Sequence, residues 1–580
     1  MDSSVRNVLS ESRDCPPRRS KSPNVKISKL PAPVAILPAL GLAACGGDSG
    51  GGSGQGPTAG PPPPPPPAPP PPPPPTSTQS GRFLAQAGMG SSAADIASVT
   101  AKGFDGWLSD QFNKPRATSF WDWLIANGHG TMADVFTQNG FDAAIWSQLI
   151  TGEDQLRQRV GAALYSIFVV KIDDTEVYWR QFSTAAYMDI LWDNAFGNFR
   201  TLLEKITLSP AMGWYLSLAN NKKADANGSV PDENFAREIM QLFTIGLYQL
   251  NPDGTQKLAN GKPIETYSLS DVTGLARALT GWFYTGFFAR GGPDHVRLPM
   301  VYDVGAHEMG EAKFLGTTIP AGTAGPDSLK IVLDTLFAHP NVAPFISKQL
   351  IQKLVTSNPT PAYVQRVASI FENNGSGVRG DLRAVVRAIL LDSDARNDAA
   401  ALASTSFGKL REPMMRFTAW ARAFGAKSPS NAWKIGDNSG TTGFLSQQLG
   451  RSPSVFSFFR PGYVPPNSAV ATQNMVAPEF QIVNEQSTVL YITFMHKSLR
   501  DGWGDFKADY SEYVAKAPDS QALLDLINLR LAANQVSAAT LAQIKMAVDS
   551  IPTTTPADLL NRVYVATLAI MASPEFLILK

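Results

Sequence analysis

The densest group of polar residues in the sequence lies between positions 232 and 241. It consists of Asp232, Glu233, Asn234, Arg237, Glu238 and Gln241. On a helix, residues four apart are neighbours, so these side chains would form one polar face. In one interpretation this face is solvated or ion-paired and holds the helix against a neighbour through Arg237. In the other it lies in a cleft, where Glu233 and Glu238 bind a cation or act as acid and base.

A second group of candidates lies in one loop and contains Asp303, His307 and Glu308. Imidazole and carboxylate groups together suit zinc, iron or manganese. The spacing differs from established ligand patterns, because the string that begins at His307 is HExxE rather than HExxH, and Gly310 weakens the helix that the motif requires. These three residues are therefore the candidate metal ligands. Glu233, Glu238 and His307 are the candidate catalytic residues, and the sequence indicates no particular cofactor.

Several chemistries are excluded or unsupported. The only cysteines are Cys15 and Cys45, so the region beyond them contains no disulfide, no thiolate metal site and no cysteine nucleophile. The only GxSxG string, GDSGG at 47–51, lies in the glycine- and serine-rich stretch after Cys45, where no strand-turn-helix elbow is predicted. No correctly spaced phosphate loop occurs, so an α/β-hydrolase serine and a nucleotide-binding fold lack support.

Cys45 ends an apolar, uncharged stretch, PAPVAILPALGLAAC, that follows Lys26 and Lys29. The stretch is shorter than the roughly 20 apolar residues that span a bilayer. Its order, basic and then apolar, is typical of a signal peptide. Residues 42–45, LAAC, resemble the lipobox of bacterial lipoproteins, in which the Cys sulfur is lipidated and the chain is cut before it. This resemblance implies a signal peptide over residues 1–44 and a lipid anchor at Cys45.

The residues after Cys45 predict a spacer. Residues 46–56 read GGDSGGGSGQG, and residues 61–75 are proline at every position except Ala68. Glycine and serine give a flexible coil, whereas consecutive prolines form an extended rod of about 3.1 Å per residue. We therefore predict a disordered linker over 45–80. By the sorting rule of such lipoproteins, Gly46 implies the outer membrane or cell surface.

Charge argues against nucleic acid as a partner. The full chain carries a net charge of +1, and residues 1–44 hold seven basic and three acidic side chains. Without that segment 43 basic and 46 acidic side chains remain, a net charge of −3. Phosphate backbones are bound by concentrated positive charge, so we predict no nucleic acid partner.

From Arg82 onward the apolar residues recur with a helical period, as in Leu156, Val160 and Leu164. No run alternates long enough to predict a main sheet. We predict a large all-α domain over 81–580, as one unit or as two subdomains with a break near 400–475. Its irregular connections, 284–328 and 425–475, are of a length that is uncommon unless functional. Further helices are predicted at 329–338, 342–356, 361–373, 380–391, 520–548 and 556–572, and from Ser268 or Ser270 to Gly281.

Two local predictions concern individual residues. In the helix of the 232–241 group, Ser229 can cap the N-terminus, and Asp232 can form the reciprocal hydrogen bond of a capping box. Phe235, Ile239 and Leu242 form the buried stripe of this helix. Trp121 and Trp123 could stack on sugars, but packing against the core is the favoured interpretation.

Several strings in the chain are more specific than helical periodicity alone. They are RFLAQA (82–87), NAFGNFR (194–200), TLSPAMGWYL (207–216), PDENFAREIMQLFTIGLYQLNPDG (231–254), DVTGLARALTGW (271–282), HEMGEAKFLG (307–316), APFISKQLIQKLVTSNP (343–359) and FFRPGYVPP (458–466). In this order, from about Arg82 to Lys580, they resemble the bacterial domain of unknown function 1800 family. The resemblance implies an exported, mainly helical protein without an assigned activity. Such proteins are often encoded beside a sulfatase-like family, numbered 1501.

Two functions of different class are consistent with these features. The tether, the spacer and the lack of a catalytic signature favour an envelope binding or adaptor protein. It would act with a partner such as a sulfatase-like protein of the 1501 family. The alternative is a metal-dependent or acid/base hydrolase that acts on an extracellular polymer, and a carbohydrate-binding surface protein is the third hypothesis. Whether the protein is an enzyme stays open at this point.

Overall fold

Side-chain caps determine where many of the helices begin. In the computed structural model, Thr76 accepts a hydrogen bond from the backbone of Gln79, and the Gln79 side chain accepts one in return. Ser268 and Asp271 form the same reciprocal cap. Each cap supplies an acceptor for an otherwise unpaired N–H group in the first turn, which stabilises that helix end by about 1 kcal/mol. The structure describes residues 73–175, 177–284, 286, 289–440 and 445–580.

The predicted signal peptide (1–44), the anchor Cys45 and most of the predicted linker lie outside the described residues. The first described helix begins at Ser77, four residues before the predicted start of the domain at residue 81. Among the described residues, none of the helices combines the length and apolar composition needed to cross a bilayer.

The described residues form 24 α-helices. The first eight are α1 (Ser77–Ala87), α2 (Ala93–Asn113), α3 (Phe120–Ala126), α4 (Phe141–Thr151), α5 (Gln155–Tyr165), α6 (Arg180–Asp193), α7 (Phe199–Thr207) and α8 (Pro210–Tyr215). The next eight are α9 (Asn234–Gln241), α10 (Leu269–Ala278), α11 (Gly325–Ala338), α12 (Val342–Leu354), α13 (Pro361–Glu372), α14 (Leu382–Leu391), α15 (Ser393–Arg396) and α16 (Asp398–Ala403). The last eight are α17 (Pro413–Ala423), α18 (Ala469–Thr472), α19 (Glu485–Arg500), α20 (Ser511–Lys516), α21 (Ser520–Ala532), α22 (Ala538–Asp549), α23 (Pro556–Ala572) and α24 (Pro574–Leu577).

Strands are short and form four two-stranded antiparallel sheets among the described residues. The pairs are β1 (Leu258–Ala259) with β2 (Lys262–Pro263), β3 (Trp282–Phe283) with β4 (Val301–Tyr302), β5 (Ala312–Phe314) with β6 (Thr317–Ile319), and β7 (Lys409–Leu410) with β8 (Ile578–Leu579). Three of these sheets lie in the segment between α9 and α11. The prediction of a mainly helical fold with little sheet is confirmed.

The helices predicted from periodicity are present, with two differences. The predicted helix over 520–548 is two helices, α21 and α22, because the chain turns through Ala533 and Asn534, both at positive φ. The helix of the 232–241 group is shorter than predicted, and α9 begins only at Asn234. The Ser229 cap is wrong: the Ser229 backbone N–H donates to Asp225 instead, and Asp232 accepts from the Asn234 backbone.

Buried apolar side chains from helices throughout the chain form the core. Helices from before and after the 400–475 segment pack on one another, as α1 does on α21. Helix α12 packs against α5, α13 and α14 through a stripe that includes Ile346, Leu350 and Leu354, all fully buried. Its opposite side faces irregular segments of the chain, among them residues 455–462, and lines the candidate site.

Candidate functional site

A cleft of about 660 Å³ lies along the free face of α12. This volume is within the range of small-molecule binding sites. One wall is the segment after α9, from Gly246 to Gln256, and another is formed by residues 455–462 and 474–476. The cleft is therefore built from parts of the chain that are more than 200 residues apart in sequence.

Helix α12 presents Phe345, Lys348, Gln349 and Gln352 to the cleft. Their spacing of three and four residues places them on one side of the helix, opposite the apolar stripe that packs in the core. Gln352 donates from Nε2 to the Ser357 carbonyl at 3.0 Å, which holds its side chain in place. This helix face is therefore rigid and carries amide, ammonium and aromatic groups together.

The long irregular segment predicted at 425–475 forms the opposite wall. Asn358 and Val476 exchange two hydrogen bonds of 2.9 Å, between the Asn358 amide group and the Val476 backbone. The Arg460 backbone N–H donates to Gln481 at 2.9 Å. These bonds hold an otherwise irregular wall next to α12. The structure thus brings part of this segment to a cleft.

The charged groups of the cleft are both cationic. Its described lining contains Lys348 and Arg460 but no Asp, Glu or His. Burial lowers the pKa of Lys348, while nearby Asp253 acts in the opposite direction. The Lys348 ammonium group donates to the Gly254 carbonyl at 3.4 Å, and the Arg460 guanidinium lies 4.7 Å from the centre of the Phe456 ring. The described lining of the cleft therefore carries two cationic side chains and no carboxylate.

A buried ion network lies beneath the cleft. Lys409 Nζ is 3.0 Å from Glu479 and 3.2 Å from Glu412, and all three side chains are almost completely buried. Ser357, on the cleft wall, donates to Glu479 at 3.3 Å. Lys353 lies beside the network with its ammonium group 4.2 Å from the centre of the Phe459 ring, and burial lowers its pKa to about 8. The network ties α12, the segment around Phe459 and the start of α17 together.

Of the predicted polar face, only Gln241 reaches the cleft, and its side chain accepts a hydrogen bond from Tyr267 at 3.2 Å. Glu233 pairs with Arg237 at 3.1 Å and accepts from Thr273 of α10 at 2.7 Å. The contact to the neighbouring helix is therefore made by Glu233, whereas Arg237 pairs with Glu233 one turn away.

Glu238 differs from the rest of that group, because it is 8% exposed and points inward. Among the described residues its Oε2 atom has no hydrogen-bond partner. Burial raises the pKa of Glu238, while the Arg237 charge acts in the opposite direction. Burial disfavours the charged form of a carboxyl group. Glu238 does not line the cleft described above.

The predicted metal ligands are engaged in local structure. His307 is fully buried, and its Nδ1 donates to the Thr280 carbonyl at 2.8 Å. Glu308 accepts from the Gly310 backbone at 2.8 Å, and Asp303 accepts from the Gly305 backbone at the same distance. Within the described part of the chain, no three His, Cys, Asp or Glu side chains are placed to hold a metal ion. These residues shape the loop that packs against the end of α10.

The residues that line the cleft were largely missed by the sequence reasoning. Lys348 and Gln349 lie in APFISKQLIQKLVTSNP, and Arg460 lies in FFRPGYVPP, two of the strings that carry the family resemblance. Those strings were the available signal, although nothing in them distinguishes a ligand site from a structural element. Trp121 and Trp123 are each 5% exposed in the core, as the packing interpretation predicts.

Fold and site together define a mainly helical protein with a largely apolar cleft that also carries amide groups and two cationic side chains. The chain belongs to the DUF1800 family, described as a protein of unknown function, and the family model matches residues 82–578. No curated protein and no solved structure matches the chain.

Proposed function

We propose that the protein is a membrane-tethered binding protein of the bacterial envelope and that the cleft along α12 is its ligand site. The observation that carries the proposal is the cleft itself, which has the volume of a small-molecule site and is lined by amide, hydroxyl and cationic groups. Such groups orient a ligand through hydrogen bonds. The described lining contains no acidic residue, histidine or cysteine that would act as base or nucleophile.

The alternative, a metal-dependent or acid/base hydrolase, has less support. It would rest on Glu233, Glu238 and His307, which share no hydrogen-bond partner among the described residues. Glu233 is held by Arg237 and Thr273, and His307 by Thr280. A hydrolytic site needs its groups to converge on one reacting atom.

The proposal includes an envelope partner, such as a sulfatase-like protein of the 1501 family. In this proposal the partner acts on the ligand that the cleft holds. The partner would co-elute with the detergent-extracted protein, and purification of the two separately would contradict this part of the proposal.

The tether is the part of the proposal that depends on Cys45. We expect mass spectrometry of the protein extracted from membranes to find Cys45 as the first residue, with a diacylglyceryl group on sulfur and an acylated amino group. Several acyl chains anchor a protein stably where a single chain does not. Replacement by Cys45→Ser should release the protein from the membrane fraction. An uncleaved chain with an unmodified Cys45 would contradict the anchor.

The cleft can be tested by filling it. Gly462 lines the cleft and has open space where a Cβ would lie, so Gly462→Trp introduces a large side chain without backbone strain. Leu247→Trp does the same from another wall. We expect mass spectrometry of small molecules that co-purify with the wild-type protein to detect an envelope-derived ligand, which both variants lose.

Gly291→Trp is the matched control, because Gly291 also has open space and does not line the cleft. This variant should retain the ligand. The binding function is contradicted if wild type carries no enriched molecule, or if both cleft variants carry it at the wild-type level.

A further inference from the structure

The side chains of the cleft define the kind of molecule that it can hold. Its lining is rich in carboxamides, among them Gln241, Gln256, Gln349 and Gln352. An amide side chain presents both donors and an acceptor, and a hydroxyl group likewise both donates and accepts. A wall of amides therefore matches a ligand that carries many hydroxyl groups.

Gln349 provides an independent sign that a polar ligand belongs here. It is 8% exposed and lines the cleft, and among the described residues its Nε2 group has no hydrogen-bond partner. A buried donor without a partner costs about 1 to 3 kcal/mol. Buried polar groups in folded proteins almost always have a hydrogen-bond partner. A polar molecule in the cleft would supply the acceptor that the Gln349 amide group lacks.

Apolar surface lies between these polar groups. Phe345, Phe456 and Tyr248 all contribute to the lining. Aromatic rings provide a flat, rigid surface with large contact area. The presence of such rings and amides in one cleft suits a molecule that has both apolar C–H faces and hydroxyl edges, as pyranose rings do.

The two cations of the cleft, Lys348 and Arg460, favour a ligand that carries negative charge. Within the described residues neither Lys348 nor Arg460 forms an ion pair, although Asp253 lies close enough to affect the pKa of Lys348. The nearby ammonium group of Lys353 is different, because it lies beside the buried carboxylates Glu412 and Glu479. Lys348 and Arg460 are thus the charges left for a ligand. The guanidinium fork binds carboxylate, sulfate and phosphate groups in a bidentate manner.

We propose that the cleft binds an acidic oligosaccharide, with its sugar hydroxyls against the amides of α12 and its carboxylate or sulfate group between Lys348 and Arg460. The inference rests on the proposed binding function and adds the ligand class to it. Carboxylate and sulfate are two sources of the same anionic chemistry, and the probes below distinguish them.

Calorimetry with the full-length, detergent-extracted protein tests this assignment. The probes are oligomers of galacturonate, glucuronate-containing hyaluronan and chondroitin sulfate. Each is compared with a neutral counterpart whose carboxylates are methyl-esterified and, for chondroitin sulfate, whose sulfate groups are also removed. Desulfated chondroitin that keeps its carboxylates distinguishes sulfate from carboxylate recognition. We expect at least one acidic oligomer to bind about tenfold or more tightly than its neutral form, since one charge-assisted contact supplies roughly that difference. Lys348→Gln and Arg460→Gln should each remove most of this preference. Lys330→Gln, at an exposed site outside the cleft, makes the same change of net charge and should leave it intact.

Three results would overturn the inference. If neutral and acidic oligomers bind equally well, the cleft binds sugars without selecting charge, and the proposed binding function stands. If inorganic sulfate alone displaces the oligomer completely, the site recognises the anion and not the saccharide. If no acidic oligomer binds while the Gly462→Trp experiment still shows a lost ligand, the ligand class is wrong and the cleft function is retained.

Discussion

Replacement of Lys409 by methionine should destabilise the protein by about 3 to 5 kcal/mol, because it leaves two buried carboxylates, Glu412 and Glu479, without their shared cation. The Lys409 side chain is 1% exposed and lies 3.0 Å from Glu479. It also donates to the Lys353 carbonyl at 3.0 Å. Methionine has nearly the same length, so the loss is mainly electrostatic. Equilibrium unfolding in denaturant at neutral pH measures it.

The same variant has a characteristic pH dependence. Burial acts to raise the pKa of the Glu412 carboxyl group. Three cations, Lys409, Lys353 and Arg159, outweigh burial and bring this pKa down to about 2. A pKa lowered in the native state stabilises the protein above the ordinary value of 4.5, and this contribution is lost as the pH falls toward 2. Without Lys409 the pKa of Glu412 rises, so the difference in stability from wild type should narrow between pH 7 and pH 3.

An exposed ion pair provides the control for Lys409→Met. Lys330 is 73% exposed and lies 2.6 Å from Asp334. Lys330→Met should cost less than about 1 kcal/mol, because solvent screens this pair. Equal losses in the two variants, or a Lys409→Met difference that does not change with pH, would show that the buried network contributes no more than a surface pair.

Asp189→Ala should lower the free energy of unfolding by a similar amount, about 3 to 5 kcal/mol. Asp189 is remote in sequence from the Lys409 network. The buried Asp189 carboxylate accepts hydrogen bonds from the backbone N–H groups of Phe120 and Trp121 at 2.8 and 3.0 Å. It also pairs with Arg116 at 2.6 Å. The substitution therefore leaves two N–H groups at the start of α3 and one buried guanidinium with fewer partners. Thermal and denaturant unfolding both report the loss.

Asp193 is a matched control for this prediction, because it pairs with the same Arg116 at 3.0 Å but is 61% exposed. Asp193→Ala should cost less than about 1 kcal/mol. If the two alanine variants are equally stable, burial of Asp189 and its backbone hydrogen bonds contribute nothing beyond a surface ion pair.

Local patterns were sufficient to predict most of the helices. Periodicity located α11 to α14 and α23. The start of α10 was predicted at Ser268 or Ser270, and the structure shows that Ser268 is the capping residue. These signals act within a few residues, so no knowledge of the fold is needed to interpret them. The prediction went wrong at Ser229, where the chain makes a turn with Asp225 before the helix begins.

The candidate site was much harder to predict, since it depends on residues distant in sequence. The 232–241 group is dense in polar residues, yet Glu233 serves a helix contact, Glu238 points inward and only Gln241 lines the cleft. Local density of charge does not distinguish a surface helix from a site. Lys348 and Arg460 belong to one site only because the fold places α12 and the 455–462 segment around the same cleft.

The amino-acid sequence alone determined the helical class, the family and most helix positions, because hydrophobic periodicity, caps and matched strings are local properties of the chain. It also carries the prediction of an anchor at Cys45. Only the tertiary structure decided that His307 is a buried residue bound to Thr280, that Lys409 bridges Glu412 and Glu479, and that one face of α12 is open. The physical reason is that burial and charge pairing depend on which segments pack together, and that arrangement arises from contacts between residues far apart in the sequence.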